Sequence, residues 1–310
     1  MDPSLEVFLR TGIIGLTVGC YLALIALGYT MVYGIVELIN FAHGDLFTFG
    51  FFISLAIWNL IKAPTPLEGV WLLALPVIAI IVAVLTGTLN VVIERVAYRP
   101  LRGSSRLAPL ITAVGVSFAL ESLFAYIFGA TQVNYPRFIP TTNLISDFSR
   151  VVRITPRDLL LVGVTIPLMI GLTLFVDRSR IGKAMRAAAQ DREASAMMGI
   201  NVNRIIAITF FVGGALAGIG GMIYGLYAGS GRFIMGFEFG LIAFTSAVLG
   251  GIGNIRGAVL GAFIIGLVQA MSDQYIGGEW SRVIIFSLLI LLLVFRPSGI
   301  LGSTQSIEKV

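Results

Sequence analysis

Nine stretches of this chain are almost free of charge, and short polar segments separate them. There is no Lys, Arg, Asp or Glu in Thr11–Val36, Leu46–Ile61, Gly69–Ile93, Leu159–Val176, Ile205–Gly231, Phe239–Ile255, Gly257–Ser272 or Val283–Phe295. Leu107–Pro136 joins them, interrupted only by Glu121. The runs do not alternate, so they read as helices spanning a bilayer rather than strands of a barrel. A span needs about 20 apolar residues. The expectation is one all-α integral membrane domain over residues 1–310, a polytopic bundle of 8–9 transmembrane helices. The ambiguity in the count lies at Glu238–Ser272, which reads as two short helices or one long broken one.

The pattern is most informative where it breaks. Between the first two runs stands Gly34–Asp45, G-I-V-E-L-I-N-F-A-H-G-D. Two spans of about 20 residues fit into Thr11–Ile61 only if the connection is about ten residues long. Glu37, Asn40, His43 and Asp45 therefore lie at or inside the membrane surface, where ionisable groups are costly and usually functional. Gly34 and Gly44 can relieve the backbone of a broken helix, while Asn40 and His43 satisfy freed groups or line a wet cavity. A second helix starting near His43–Asp45 would place Asp45 in its first turn, as a charge or cap. Glu37, His43 and Asp45 could also form an acid/base cluster, although a lone histidine in a membrane bundle is more often a hydrogen-bonded structural residue.

Composition narrows the class. Of the 310 residues, 57% are hydrophobic and 12% charged, which excludes an ordinary soluble domain. The first run is too long for a signal-peptide core, and its flank (Asp2, Glu6, Arg10) lacks the basic character of one, so it reads as a retained span. With one cysteine (Cys20) and one histidine, neither an intrachain disulfide nor a His/Cys metal centre can form. The net charge of +5 calls for no nucleic acid, because the positive-inside rule accounts for it. Glu94–Arg106 carries Arg95, Arg99, Arg102 and Arg106, and Asp177–Arg204 carries Arg178, Arg180, Lys183, Arg186, Arg192 and Arg204. Two spans separate these loops, so both fall on one side, assigned to the cytoplasm. The nine-span version puts the N-terminus outside and the C-terminus inside. Thr131–Arg157, with Arg137, Arg150, Arg153 and Arg157, dissents from that assignment.

Small residues recur at helical spacing. Gly213, Ala217, Gly221 and Gly225 form one row, Gly214 and Gly218 the next, and Gly253, Gly257 and Gly261 a third, which suits close helix packing in lipid. Catalytic signatures are missing. Gly182-Lys183 is followed by Ala184 and makes no P-loop, and no nucleophile elbow or zinc-protease motif appears.

The basic loop at about 178–204 is the second informative region. Lys183–Met198 is rich in helix formers, and Gly199 followed by Asn201 supplies a stop. Such an Ala- and Met-rich helix outside the bilayer rests on lipid or docks to a cytoplasmic partner, and docking is the reading preferred. Glu193-Ala194-Ser195 followed by Gly199 resembles the E-A-A-x-x-x-G coupling motif of ABC importer permeases, with Ser195 departing at the third position and Ile208-Thr209-Phe210 standing where Leu-Pro is expected. Further text extends the similarity along essentially the whole chain: Tyr21–Gly34, Ile39–Gly44, Glu94–Pro100, Ala247–Gly253 and Pro297–Gly302. Together these resemble the LivH-type permease subunit of branched-chain amino acid ABC importers, with Thr131–Arg157 the least family-like part.

The resemblance implies a cytoplasmic coupling helix, with Arg186, Glu193, Ala194, Ser195, Gly199 and Asn201 at the ATPase contact. It also implies a second, LivM-like permease, two ABC ATPase subunits and an extracytoplasmic solute-binding protein as partners, in a bacterial inner membrane. No cofactor is expected in this chain, ATP and magnesium belonging to the ATPases. The solute would be a branched-chain or other neutral amino acid. Permeases for urea or short amides look alike. An ion-coupled secondary transporter relaying protons through Glu37, His43, Asp45 and Glu121 is a more distant alternative, and an intramembrane enzyme a third.

Overall fold

The computed structural model describes residues 3–37, 40–61, 70–105, 107–137, 139–146, 149 and 151–302, apart from the side chains of residues 70–73. Asp2, Ile39, Gly69, Arg106 and Arg150, invoked above, fall outside them. Eleven α-helices account for most of the described residues: α1 (Pro3–Val36), α2 (His43–Leu60), α3 (Val70–Ile93), α4 (Leu107–Phe128), α5 (Pro156–Arg178), α6 (Arg180–Gln190), α7 (Arg192–Met197), α8 (Val202–Ala228), α9 (Met235–Gly250), α10 (Ile255–Tyr275) and α11 (Gly278–Phe295). Seven of them are long and apolar enough to cross a membrane. The 18-residue α2 begins on His43 and Asp45, and the apolar α9 has 16 residues. The expected eight or nine crossings thus hold as an approximation. Glu238–Ser272 is two helices, meeting at a turn where Asn254 caps α10 by accepting from the N–H groups of Arg256 and Gly257.

At 1.5 Å per residue, the 34 residues of α1 extend about 51 Å, well beyond a hydrocarbon core of about 30 Å. From Thr17 to Val32 every residue of α1 is buried. α1 and α8 form the centre, and α2, α3, α9 and α10 pack around them. The glycine rows explain how closely. A Cβ on Gly221 would stand 1.9 Å from the Phe47 carbonyl, and one on Gly218 2.3 Å from Thr86 Oγ1. Gly221 lets α2 press onto α8 backbone to backbone and Gly218 makes room for the Thr86 side chain of α3, as small residues do in lipid, where close van der Waals contact drives association. α4, α5 and α11 lie outermost and expose apolar side chains such as Ile111, Ile170 and Ile290.

One end of the bundle gathers the end of α1, the end of α3, helices α6 and α7, and the start of α8. There Arg102 donates to Asn203 Oδ1 at 2.7 Å and Asn254 donates to the Leu301 carbonyl at 2.7 Å. At the opposite end, β1 (Val133–Asn134) pairs antiparallel with β2 (Ser230–Gly231), and Thr155 opens α5 with a capping box shared with Asp158. The N-terminal segment reaches this second end, where Ser149 donates to Glu6 Oε1 at 3.1 Å.

Candidate functional site

Between α1 and α2 the chain breaks inside the bundle. α1 stops at Val36, and Glu37 takes φ = +55°, a left-handed conformation that costs a non-glycine residue about 1 kcal/mol or more. The backbone relief expected from glycine therefore falls on Glu37, whose side chain is exposed. Gly34 stays within α1 and Gly44 within α2. Gly44 serves close approach instead: a Cβ there would meet the Gly236 carbonyl of α9 at 2.2 Å.

Past the break, the polar side chains separate. Asn40 is 3% exposed and forms the middle of a buried chain of amides. Its Oδ1 accepts from the Tyr98 hydroxyl at 2.6 Å, and its Nδ2 donates to Asn90 Oδ1 at 3.4 Å. Asn90 in turn donates to the Phe210 carbonyl of α8 at 2.7 Å. Buried away from solvent, these groups can turn only to one another, so each partner holds the others in place. Tyr98 sits where α3 passes into a π turn (Glu94–Tyr98) and a short 3-10 turn (Arg99–Leu101). Such turns interrupt helices at functional positions. The turn is tied down by a pair between the buried Glu94 carboxylate and Arg102, whose other nitrogen reaches Asn203 of α8.

His43 and Asp45 do not act together. The His43 ring lies in a slot against α1, edge-on to Tyr29 with centroids 4.7 Å apart. The slot exists because residue 28 is glycine; a Cβ there would come within 2.2 Å of His43 Nε2. Asp45 is fully buried in the first turn of α2, but no side chain caps that helix and Asp45 does not do so. Its carboxylate faces Ser117 of α4, and Glu121 lies close enough to act on it electrostatically. The structure brings together no Glu37–His43–Asp45 cluster.

The second region folds as two helices, where the composition suggests one from Lys183 to Met198. Asp191 causes the break: its Oδ1 accepts from the N–H groups of Glu193 and Ala194 at 2.9 and 3.0 Å, starting α7 afresh. Gly199 ends α7 at φ = +82°, the stop anticipated from its type. Asn201 then caps α8, accepting from Arg204 N at 3.0 Å. Glu193, Ala196, Met197, Met198 and Gly199 are exposed, Ala194 is half-buried and Ser195 is buried. Met197 and Met198 are 82% and 83% exposed, an unusual state for two adjacent thioethers. Arg186 is exposed on α6 but turns its guanidinium toward the last turn of α5, donating to the Val176 and Asp177 carbonyls.

Sequence reasoning passed over Asn90, Tyr98 and Arg192. Asn90 did carry a signal, as a lone amide in the apolar run Gly69–Ile93, where an unpaired polar group would be costly. Arg192 carried none, because its partner is a backbone carbonyl: Nη2 donates to Ile35 O at 2.8 Å. That bond joins α7 to the last turn of α1, two residues before Glu37.

No solved structure matches this chain. The high-affinity branched-chain amino acid transport system permease protein BraD of Pseudomonas aeruginosa is 43% identical over 309 residues, covering 99% of this chain and all of BraD. LivH of Escherichia coli (strain K12), described in the same words, is 41% identical over 318 residues and the full length of both. LivM of the same strain is 29% identical over 146 residues, 44% of this chain and 33% of LivM. The family described as the permease component of branched-chain amino acid transport systems matches residues 13–293. The chain is thus a multi-pass membrane protein and a transport permease component rather than an enzyme, and it belongs to that family of branched-chain amino acid transport system permeases.

Proposed function

We propose that this chain forms half of the transmembrane pathway of an ATP-driven importer of branched-chain amino acids in a bacterial inner membrane. Its partners are a second, LivM-like permease, two ABC ATPases and an extracytoplasmic solute-binding protein. The end that carries α6 and α7 faces the cytoplasm, which puts the N-terminus outside and the C-terminus inside. ATP and magnesium act on the ATPases, and this chain holds no cofactor.

One observation carries the mechanical reading. The exposed tip of α7, with Glu193 and the pair Met197–Met198, belongs to a helix hydrogen-bonded to the end of α1 just before the break. Met side chains adapt to a partner's surface, and Glu193, Ala194 and Gly199 stand where the coupling motif of ABC permeases would seat in an ATPase. Ser195 and Asn201 shape the turn, and Arg186 holds α6 to α5. Closure of the ATPases displaces α7, the displacement reaches α1 through Arg192, and the strained backbone at Glu37, where α1 ends, absorbs it. The buried amide chain and the His43 slot change partners as access alternates. ATP can drive this only through different affinity for the two states, about 5.5 kcal/mol for a complete swing.

The test is uptake of radiolabelled leucine by proteoliposomes containing the reconstituted complex with its binding protein. ATP-dependent leucine uptake that excess unlabelled urea leaves unchanged is expected. Uptake driven by an ion gradient without the ATPases, or competition by urea and not by isoleucine or valine, would overturn it.

A further inference from the structure

Arg102 is paired with Glu94, but three other arginines of the same corner have no such partner. Arg95 lies in the π turn and Arg99 opens the short 3-10 turn that follow α3, and Arg204 lies in the first turn of α8. None of their side chains pairs with a carboxylate or donates a hydrogen bond among the described residues. They border an open pocket of about 410 Å³, with Asn201 and Asn203 on its rim. Its floor is apolar: Val91 on α3, and Ala207, Ile208 and Phe211 on α8. Phe211 is nine residues into α8, about 13 Å from the helix start. The pocket therefore runs from a cationic mouth at the end of the bundle to apolar side chains more than two turns into α8.

Cationic charge is concentrated here beyond the three. Arg102 titrates below the usual arginine range; burial is the largest cause, Glu94 opposes it, and repulsion from Arg99 and Arg192 adds to it. An anion at the mouth would relieve that repulsion. A soluble protein can reach the arginines but not the floor, and free inorganic phosphate has nothing to place on the floor. A lipid satisfies both halves, because arginines at a helix end hold headgroups while the stems and neighbouring residues meet acyl chains.

We propose that this pocket binds an anionic phospholipid, its phosphate held by Arg95, Arg99 and Arg204 and one acyl chain lying over Val91, Ala207, Ile208 and Phe211. The occupied site fixes the turn that carries Tyr98, and through Tyr98 the position of Asn40. Binding of the lipid stands apart from the transport reading; only this effect on the break depends on it.

Native mass spectrometry of the detergent-purified complex, titrated with phosphatidylglycerol, tests the site. About fivefold in affinity is expected per arginine, so R95Q/R99Q/R204Q should bind on the order of a hundredfold more weakly. R178Q/R180Q/K183Q removes the same charge from the neighbouring loop and should bind as the parent does. Equal binding by the pocket variant, equal loss in the loop variant, or displacement of the lipid by millimolar inorganic phosphate or by glycerophosphoglycerol would overturn the proposal. A second measurement needs no substitution: phosphatidylglycerol with a diazirine on its acyl chain should label the peptide containing residues 207–211 of the parent protein. Labelling confined to α5 or α11 would overturn it equally.

Discussion

Arg192 Nη2 donates to the Ile35 carbonyl at 2.8 Å, although 157 residues separate them in the chain. Ile35 O lies in the last turn of α1, where backbone carbonyls lack helical partners and a cation is favoured. The bond is a direct side-chain link between α7 and the helix that ends at the break. It makes α7 a handle on α1 rather than a loop hung beside it.

Replacing that handle should uncouple the machine. A hydrogen bond from a charged group is worth about 1.5–3 kcal/mol, or roughly tenfold to a hundredfold in a two-state population. R192A is expected to assemble with its ATPases and hydrolyse ATP near the parent rate, with leucine transported per ATP reduced at least tenfold. R192K should recover part of that ratio. Equal loss of hydrolysis and transport would point to failed docking instead.

The exposed tip of α7 predicts the opposite phenotype. Glu193→Lys inverts a charge on the open face, and Gly199→Trp places a large side chain at φ = +82°, a conformation L residues rarely adopt. Met197→Asp puts a charge on a thioether that is 82% exposed. Each variant should insert normally, as judged by membrane fractionation, and lose most ATPase co-purification. Full co-purification with full uptake in all three would remove α7 from the interface.

The amide chain calls for a double-mutant cycle. Asn40→Leu leaves the Tyr98 hydroxyl and the Asn90 carbonyl without partners in an apolar interior, at about 1–3 kcal/mol. Tyr98→Phe removes one partner alone. Since both changes act on the 2.6 Å bond, their effects on thermal stability should be non-additive by about 1–2 kcal/mol. Additive effects would mean that the two residues do not report on one bond.

How far the sequence revealed this arrangement depended on what each residue needed as a partner. The spans were legible because charge-free runs of helical length have one solution in lipid. The break was legible because Thr11–Ile61 has too few residues for a long loop. Its internal geometry was not: the left-handed residue is Glu37, not Gly34 or Gly44, which stay within α1 and α2, Gly44 being taken up by the close approach of α9. The single helix read over Lys183–Met198 missed Asp191, whose carboxylate restarts the helix as a cap. Tyr98 and Arg192 were hidden because one pairs across 58 residues and the other with a backbone carbonyl.

His43 and Gly28 give the most discriminating experiment on the break. Inside a helix, Gly→Ala should stabilise by about 1 kcal/mol. Here the added Cβ would stand 2.2 Å from His43 Nε2, so the ring must leave its slot. Gly28→Ala should therefore destabilise by about 1–3 kcal/mol, the usual range for overpacking, and abolish uptake. His43→Ala in the same chain empties the slot and should restore most of the melting temperature. Restoration will be incomplete, because the Cβ also meets the Gly213 carbonyl at 3.0 Å and α8 must yield slightly. Transport by the double variant then separates shape from chemistry. If His43 acts by filling the space between α1 and α2, uptake returns to within about fivefold of the parent along with stability. A stable double variant with no uptake would mean that the imidazole itself takes part in passage of the solute.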